Sequence, residues 1–185
     1  MQSYQEVLAE ILIDPETLQA RIKELGAQIS EDYVDGNLML ICILRGGVPF
    51  LVDLSRSIST PHMIDFMAVS SYGSGQRETS GSVRVTLDLQ TDIRGKDVLL
   101  VEDIVDSGHT ISAVLQMLET RQPKSLKVCA LLDKPERREA RVPIHYLGFS
   151  IPNKFVFGYG LDLDEYHRNL PFVGVVDLTK YKRSN

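Results

Sequence analysis

The sequence predicts an α/β fold built on a largely parallel sheet flanked by helices, and three observations predict it. Apolar stretches of strand length recur along the chain, at Leu38 to Leu44, Asp97 to Val105 and Ser125 to Leu132. Their apolar residues fall on both faces, as in strands of a parallel sheet covered by helices. Amphipathic segments of helical period separate them, and alternation of strand and helix marks this class.

Taken in order, Asp14-Pro15 is a helix start, with a capping carboxylate before a proline at the first helical position. Leu18, Ile22, Leu25 and Ile29 then recur at helical spacing and mark one buried face. Gly36-Asn37 ends the connection to the first buried strand, Leu38 to Leu44. Met63 to Ser70 reads as a strand, followed by a polar stretch, Tyr72 to Ser82, with glycines at 73, 75 and 81. Val83 to Leu89 alternates apolar and polar residues, as a half-buried strand does. After the strand Asp97 to Val105, Ile111, Val114, Leu115 and Leu118 give an amphipathic helix, and Ser125 to Leu132 a further strand. Short aromatic strands are expected at Ile144 to Phe149, Phe155 to Gly158 and Phe172 to Asp177, where the rhythm breaks and a small C-terminal lobe is expected.

With 185 residues and no repeat or Pro/Gly-rich linker, a single domain over 1–185 is expected. The net charge of −5 gives no support for a nucleic-acid partner, because duplex binding rests on phosphate neutralisation by clustered cations. Cys42 and Cys129 lie inside apolar runs and are expected as buried thiols. The N-terminus has no basic region before an apolar one, and no stretch reaches the ~20 apolar residues of a membrane span. A cytoplasmic protein without a membrane partner is expected.

The most informative segment is Val101-Glu-Asp-Ile-Val-Asp-Ser-Gly-His-Thr110. An apolar strand runs into adjacent carboxylates, Glu102 and Asp103, then into a loop with Asp106, Ser107, Gly108, His109 and Thr110 that opens a helix. Free N–H groups at a helix start attract anions. Two carboxylates ahead of a phosphate cradle would repel a bare phosphate, but suit sugar hydroxyls or Mg²⁺, which prefers oxygen ligands. The pattern therefore points to a phosphorylated sugar whose hydroxyl edge carries a metal. Neither GxxxxGK[ST] nor GxGxxG occurs. The four histidines, at 62, 109, 145 and 167, show no metal-ligand spacing.

This segment resembles the ribose-phosphate signature of the type I phosphoribosyltransferases, in particular their hypoxanthine-guanine branch. The resemblance implies that Glu102 and Asp103 serve the ribose hydroxyls and Mg²⁺, and that Asp106 to Thr110 hold the 5′-phosphate. Asp106 would also be the general base at purine N7. Leu44-Arg45-Gly46-Gly47 resembles the pyrophosphate loop, in which a cis peptide precedes the basic residue. Ser71-Tyr72-Gly73 resembles the mobile active-site loop. LLDKP, IPNKFVFGYGLD and EYHR resemble the base-binding hood. Lys134 would donate to a 6-oxo group, Phe155 would stack on the ring and Val156 would offer backbone contacts. Asp162 would lie near the 2-position and a second Mg²⁺, and Arg168 would reach the pyrophosphate.

The implied reaction joins hypoxanthine or guanine to phosphoribosyl pyrophosphate, and the family's habit implies a homodimer or homotetramer, with Val48 to Ser57 as an interface helix. Two alternatives stay open at this point. One is a sibling enzyme for xanthine or uracil. The other is a regulator of the same fold that binds nucleotides and RNA without turnover.

Overall fold

The computed structural model describes residues 2–34, 36–71 and 83–182. In chain order the elements are α1 (Tyr4–Val7), β1 (Leu8–Ile13), α2 (Pro15–Asp32), β2 (Leu38–Ile43), α3 (Val48–Ser57) and β3 (His62–Ser71). They continue with β4 (Val83–Leu87), β5 (Asp97–Val105), α4 (His109–Glu119), β6 (Ser125–Asp133) and a 3₁₀ turn (Pro135–Arg137). The chain closes with β7 (Tyr146–Ser150), β8 (Val156–Phe157) and β9 (Val173–Val176). Asp14 caps α2 as its sequence suggests, accepting from Thr17 N at 2.9 Å and Thr17 Oγ1 at 2.7 Å.

Six strands form the main sheet in the order β4-β3-β2-β5-β6-β7. Every pairing is parallel except β3 with β4. The apolar runs divide by alternation. Leu38, Leu40, Cys42, Leu99 and Val101 pack in one buried cluster with residues of α2 and α3. Met39, Ile41, Ile43, Val98 and Leu100 pack in a second, with Ile111, Val114 and Leu118 of α4. Successive side chains of a strand point to opposite faces, so a strand covered on both sides has no polar position. Cys42 and Cys129 are both buried and free, and burial pushes both thiols up. Neither is a ready nucleophile, because the reactive form is the thiolate.

A second sheet is antiparallel, in the order β1-β9-β8. It shields a smaller core of Val7, Phe157, Leu163, Leu170, Phe172 and Val176. The aromatic stretches Phe155 to Gly158 and Phe172 to Asp177 form β8 and β9 of this lobe, whereas Ile144 to Phe149, expected with them, forms β7 at the edge of the main sheet, parallel to β6. The sequence predicts no strand at residues 8–13. They form β1, paired to β9 with Leu8 opposite Val176 and Ile13 opposite Val173. The lobe is thus made from both ends of the chain. Among the described residues no helix is long and apolar enough to cross a membrane.

Candidate active site

β2 connects through α3 to β3 on one side of the sheet, whereas β5, its other neighbour, connects through α4 to β6 on the opposite side. Their adjacent carboxyl ends form the point where strand order reverses, the usual ligand crevice of an open α/β sheet. Two loops leave from that point. Residues 44–47 follow β2, and residues 106–108 follow β5.

The second loop lines a cavity of about 150 Å³ with Glu102, Ile104, Asp106, Ser107, Gly108 and Thr110. Gly108 caps α4 with φ of 88°, a conformation that a side chain rarely adopts. A Cβ there would also stand 2.7 Å from the Ala140 carbonyl. Glu139 N and Ala140 N both donate to Ser107 O at 2.9 Å, so the segment after the 3₁₀ turn braces the loop from behind. His109 Nε2 lies 2.8 Å from Glu139 Oε2. Asp106 faces two cations, with Arg137 Nε at 3.1 Å and Lys134 Nζ at 3.6 Å. Lys134 itself is buried, 6 % exposed, and its N–H donates to Val105 O at 3.0 Å.

Below the loop stand the two carboxylates. Glu102 Oε2 is buried and has no hydrogen-bond partner. Burial pushes the Glu102 carboxyl well above the usual range, and the Asp103 charge adds to the shift. Burial also pushes Asp103 up to about 6, against the opposing pull of its bond from Ile104 N and of Arg168. Asp162 acts on Asp103 in the same upward sense as burial. A buried carboxylate oxygen without a partner is costly unless something completes it. Hard oxygen-seeking cations and sugar hydroxyls both do so, and the donor set therefore fits Mg²⁺. Among the described residues no three His, Cys, Asp or Glu side chains converge on one point. A Mg²⁺ ion here would have to draw on substrate oxygens and water, as it commonly does.

The first loop contains a cis peptide at Leu44-Arg45. Leu44 N donates to Met67 O at 2.7 Å, which ties the loop to β3. Gly46 lies against Asp103, and a Cβ at 46 would overlap Asp103 Oδ2. From the other side Gly160, with φ of 97°, lies against the Gly46 carbonyl, where a Cβ would come within 2.0 Å. Arg168 Nη1 donates to Gly160 O at 2.8 Å, and Nη2 meets Asp162 Oδ1 at 2.9 Å. Glu165 Oε2 lies 2.9 Å from Arg45 Nη2 and 3.3 Å from Arg168 Nη2.

Phe155, Asp162, Asp164, Glu165 and Tyr181 line an open cleft of about 590 Å³. Phe155 is 45 % exposed, its ring 6.3 Å from that of Tyr181. Val156 is buried in β8 opposite Val175. The sequence-selected residues thus gather in two groups. Lys134 sits with the loop of Asp106, whereas Phe155, Asp162 and Arg168 sit with the loop of Arg45 and Gly46. Ser71 ends β3, and Tyr72 lies outside the described residues.

Sequence reasoning gave no role to Glu165, although it lies in the EYHR segment, nor to Arg137 and Glu139 of the run PERREAR. It also missed Tyr159, whose hydroxyl donates to Asp53 Oδ2 at 2.6 Å and so anchors the hood loop to α3. Gln19 of α2 donates to the same oxygen at 2.7 Å.

Comparison with known proteins agrees with this geometry. The family model described as phosphoribosyl transferase domain matches residues 9–164. Over 171 residues the chain is 52% identical to a hypoxanthine phosphoribosyltransferase of Salmonella typhimurium, covering 91% of this chain and 96% of the relative. It is 50% identical over 182 residues to a hypoxanthine-guanine phosphoribosyltransferase of Mycobacterium avium, covering 95% of this chain and 89% of the relative. A crystal structure of a Staphylococcus aureus hypoxanthine phosphoribosyltransferase superposes with a TM-score of 0.93 at 43% identity, covering 100% of both chains. The switch-point loops, the paired carboxylates and these likenesses converge, and the chain belongs to the phosphoribosyl transferase domain family.

Proposed function

We propose that this protein is a purine-salvage enzyme of the cytoplasm. It moves the 5-phosphoribosyl group from phosphoribosyl pyrophosphate to hypoxanthine or guanine, giving IMP or GMP and pyrophosphate. The observation that carries this reading is the contact between Gly46 of one loop and Asp103 below the other at the point where strand order reverses. It sets a loop suited to a diphosphate beside a loop suited to a monophosphate, and a ribose carrying both groups spans them. The names of the relatives support the choice of base.

In this reading Asp106, Ser107, Gly108, His109 and Thr110 take the 5′-phosphate through N–H and hydroxyl donors at the start of α4. Glu102 and Asp103 face the ribose hydroxyls. Leu44, Arg45 and Gly46 hold the diphosphate with Arg168, which stabilises charge as the bond from C1′ to the diphosphate oxygen breaks. N9 of the base attacks C1′, and Asp106 takes the N7 proton, so that no cation remains on the purine. Arg137 and Lys134 hold the Asp106 carboxylate in place until then. Lys134 donates to the 6-oxo group, Phe155 stacks on the ring, Val156 lends backbone contacts and Asp162 lies near the 2-position. Glu102 and Asp103 would hold one Mg²⁺ and Asp162 a second, each completed by substrate oxygens and water, and the ions would supply positive charge against the developing negative charge. Ser71 and Tyr72 belong to a segment that excludes water, which would otherwise hydrolyse the activated sugar. The protein assembles as a homodimer or homotetramer.

The test is pyrophosphate release with Mg²⁺ and phosphoribosyl pyrophosphate, with hypoxanthine, guanine, xanthine, adenine and uracil in parallel. Turnover is expected with hypoxanthine and guanine and not with adenine. Silence on every base overturns the reading.

A further inference from the structure

Arg45 and Arg168 come from different parts of the chain, the loop after β2 and the turn after β8, and one oxygen joins them. Glu165 Oε2 pairs with Arg45 Nη2 at 2.9 Å and accepts a hydrogen bond from Arg168 Nη2 at 3.3 Å. A carboxylate between two guanidinium groups occupies the position that an anionic ligand of both would need. The other contacts of Arg168 are of a different kind. Its Nη1 is held by the Gly160 carbonyl at 2.8 Å, and Asp162, on the shared Nη2, is tied down by Glu165 N at 2.9 Å. The Glu165 side chain is 59 % exposed, against 36 % for Asp162, and is the acid free to swing into solvent. Its backbone is set deliberately: Asp164, Glu165 and His167 all have left-handed φ, at 51°, 69° and 66°. Such non-glycine residues are uncommon, and three in one turn mark a segment held by its surroundings.

We propose that Glu165 is a built-in competitor for the diphosphate. It holds Arg45 and Arg168 together in the free protein and must be displaced when phosphoribosyl pyrophosphate or pyrophosphate binds. This rests on the reading that those two arginines receive the diphosphate. The arrangement weakens the hold on the leaving group, since part of every anion's binding energy goes to breaking the Glu165 contacts. It favours release of a highly charged product that two guanidinium groups would otherwise retain. Glu165 is a positioning residue by this account, because it acts on the ligand through the arginines.

Titration calorimetry of inorganic pyrophosphate with Mg²⁺ into the full-length chain tests the proposal. Glu165→Gln keeps the shape and removes the charge. It is expected to bind pyrophosphate roughly three- to tenfold more tightly, the range that exposed ion pairs support. The KM for phosphoribosyl pyrophosphate should fall with it, by more than the KM for hypoxanthine changes. Because the competition is electrostatic, the difference between the proteins should shrink as salt is raised, which a purely structural effect would not do. Unchanged or weaker pyrophosphate binding by Glu165→Gln overturns the competitor role. A parallel Arg168→Gln protein separates the two readings. If it binds pyrophosphate as wild type does, the assignment of the diphosphate site fails and the proposal fails with it. If it binds more weakly while Glu165→Gln does not bind more tightly, only the proposal fails.

Discussion

Gly46 and Asp103 Oδ2 share a space that admits no methyl group: a Cβ on residue 46 would stand 1.7 Å from that oxygen. The Asp103 carboxylate is 9 % exposed and fixed by a 2.8 Å bond from Ile104 N. It therefore has little room to retreat, and the two loops of the site are locked in register.

Gly46→Ala should displace Asp103 or the loop after β2 by about an ångström. A shift of that size in a catalytic constellation costs roughly 10²-fold in rate. Steady-state kinetics should show kcat/KM for phosphoribosyl pyrophosphate falling by about that factor, while circular dichroism shows an intact fold. Wild-type kinetics in the variant would mean that the register of the two loops is unimportant.

Asp106 stands between Arg137 and Lys134; its carboxylate is proposed to remove a proton, while its backbone N–H, which alanine keeps, is the part offered to the phosphate. Asp106→Ala should lower kcat by about 10²-fold or more, the usual contribution of a positioned base. The affinity for phosphoribosyl pyrophosphate, measured by calorimetry, should stay within a few-fold of wild type. Equal losses of turnover and affinity would count against the assignment.

Lys134 carries the selectivity argument. An ammonium matches a 6-oxo acceptor and meets a donor in a 6-amino purine. Lys134→Met keeps the length and removes the donor, so kcat/KM for hypoxanthine should fall by roughly 10²-fold, and the preference for binding hypoxanthine over adenine should narrow. Thermal melting run alongside separates this from general destabilisation. An unchanged preference would place base selection elsewhere.

At the opposite end of the sheet, Asp97 Oδ1 accepts from Ser125 Oγ at 2.6 Å and Oδ2 from Lys124 Nζ at 2.9 Å. Burial alone would raise the Asp97 carboxyl, yet the bonds from Ser125 and Lys124 outweigh it and hold the group below its ordinary 3.8. The folded state therefore binds fewer protons than the unfolded one between the two values, and stability rises with pH there. The contribution is fully present above the unfolded value and is lost as pH falls through the lower, folded one. Asp97→Asn should cost about 1–2 kcal/mol at pH 7 in urea denaturation, and its gap from wild type should start to narrow only below about 4 and close below the folded value. A gap that persists in acid would mean that packing, not charge, is responsible.

Much of the main sheet could be read from the chain because its strands announce themselves locally. Leu38 to Ile43 is buried at every position, and no other element fits so short an all-apolar run beside a glycine loop. The segment from Glu102 to Thr110 was legible for a related reason, since its strand, loop and helix start are consecutive and the chemistry lies in one stretch. β1 was not. LAEILI is mixed in burial, with Glu10 and Ile11 facing out, and only its pairing with β9 decides its conformation. The bridge of Glu165 between Arg45 and Arg168 was hidden likewise, because a glutamate in a charged run has no local mark of its partner. Lys134 was selected for the base, yet its closeness to Asp106 depends on how the 3₁₀ turn folds back behind the phosphate loop.

The pairing of β1 with β9 also orders the life of the chain during synthesis. β1 leaves the ribosome well before its partner β9. Until β9 emerges, β1 presents an unpaired edge, the kind of surface to which a foreign strand can add. The main sheet and its helices can condense on the nascent chain from nearer contacts, whereas the hood waits for β9 and for the slow meeting of distant segments. The hood is then left unformed until β9 has been made. A protein cut short before Val173 would keep its phosphate loop and lose the roof above it.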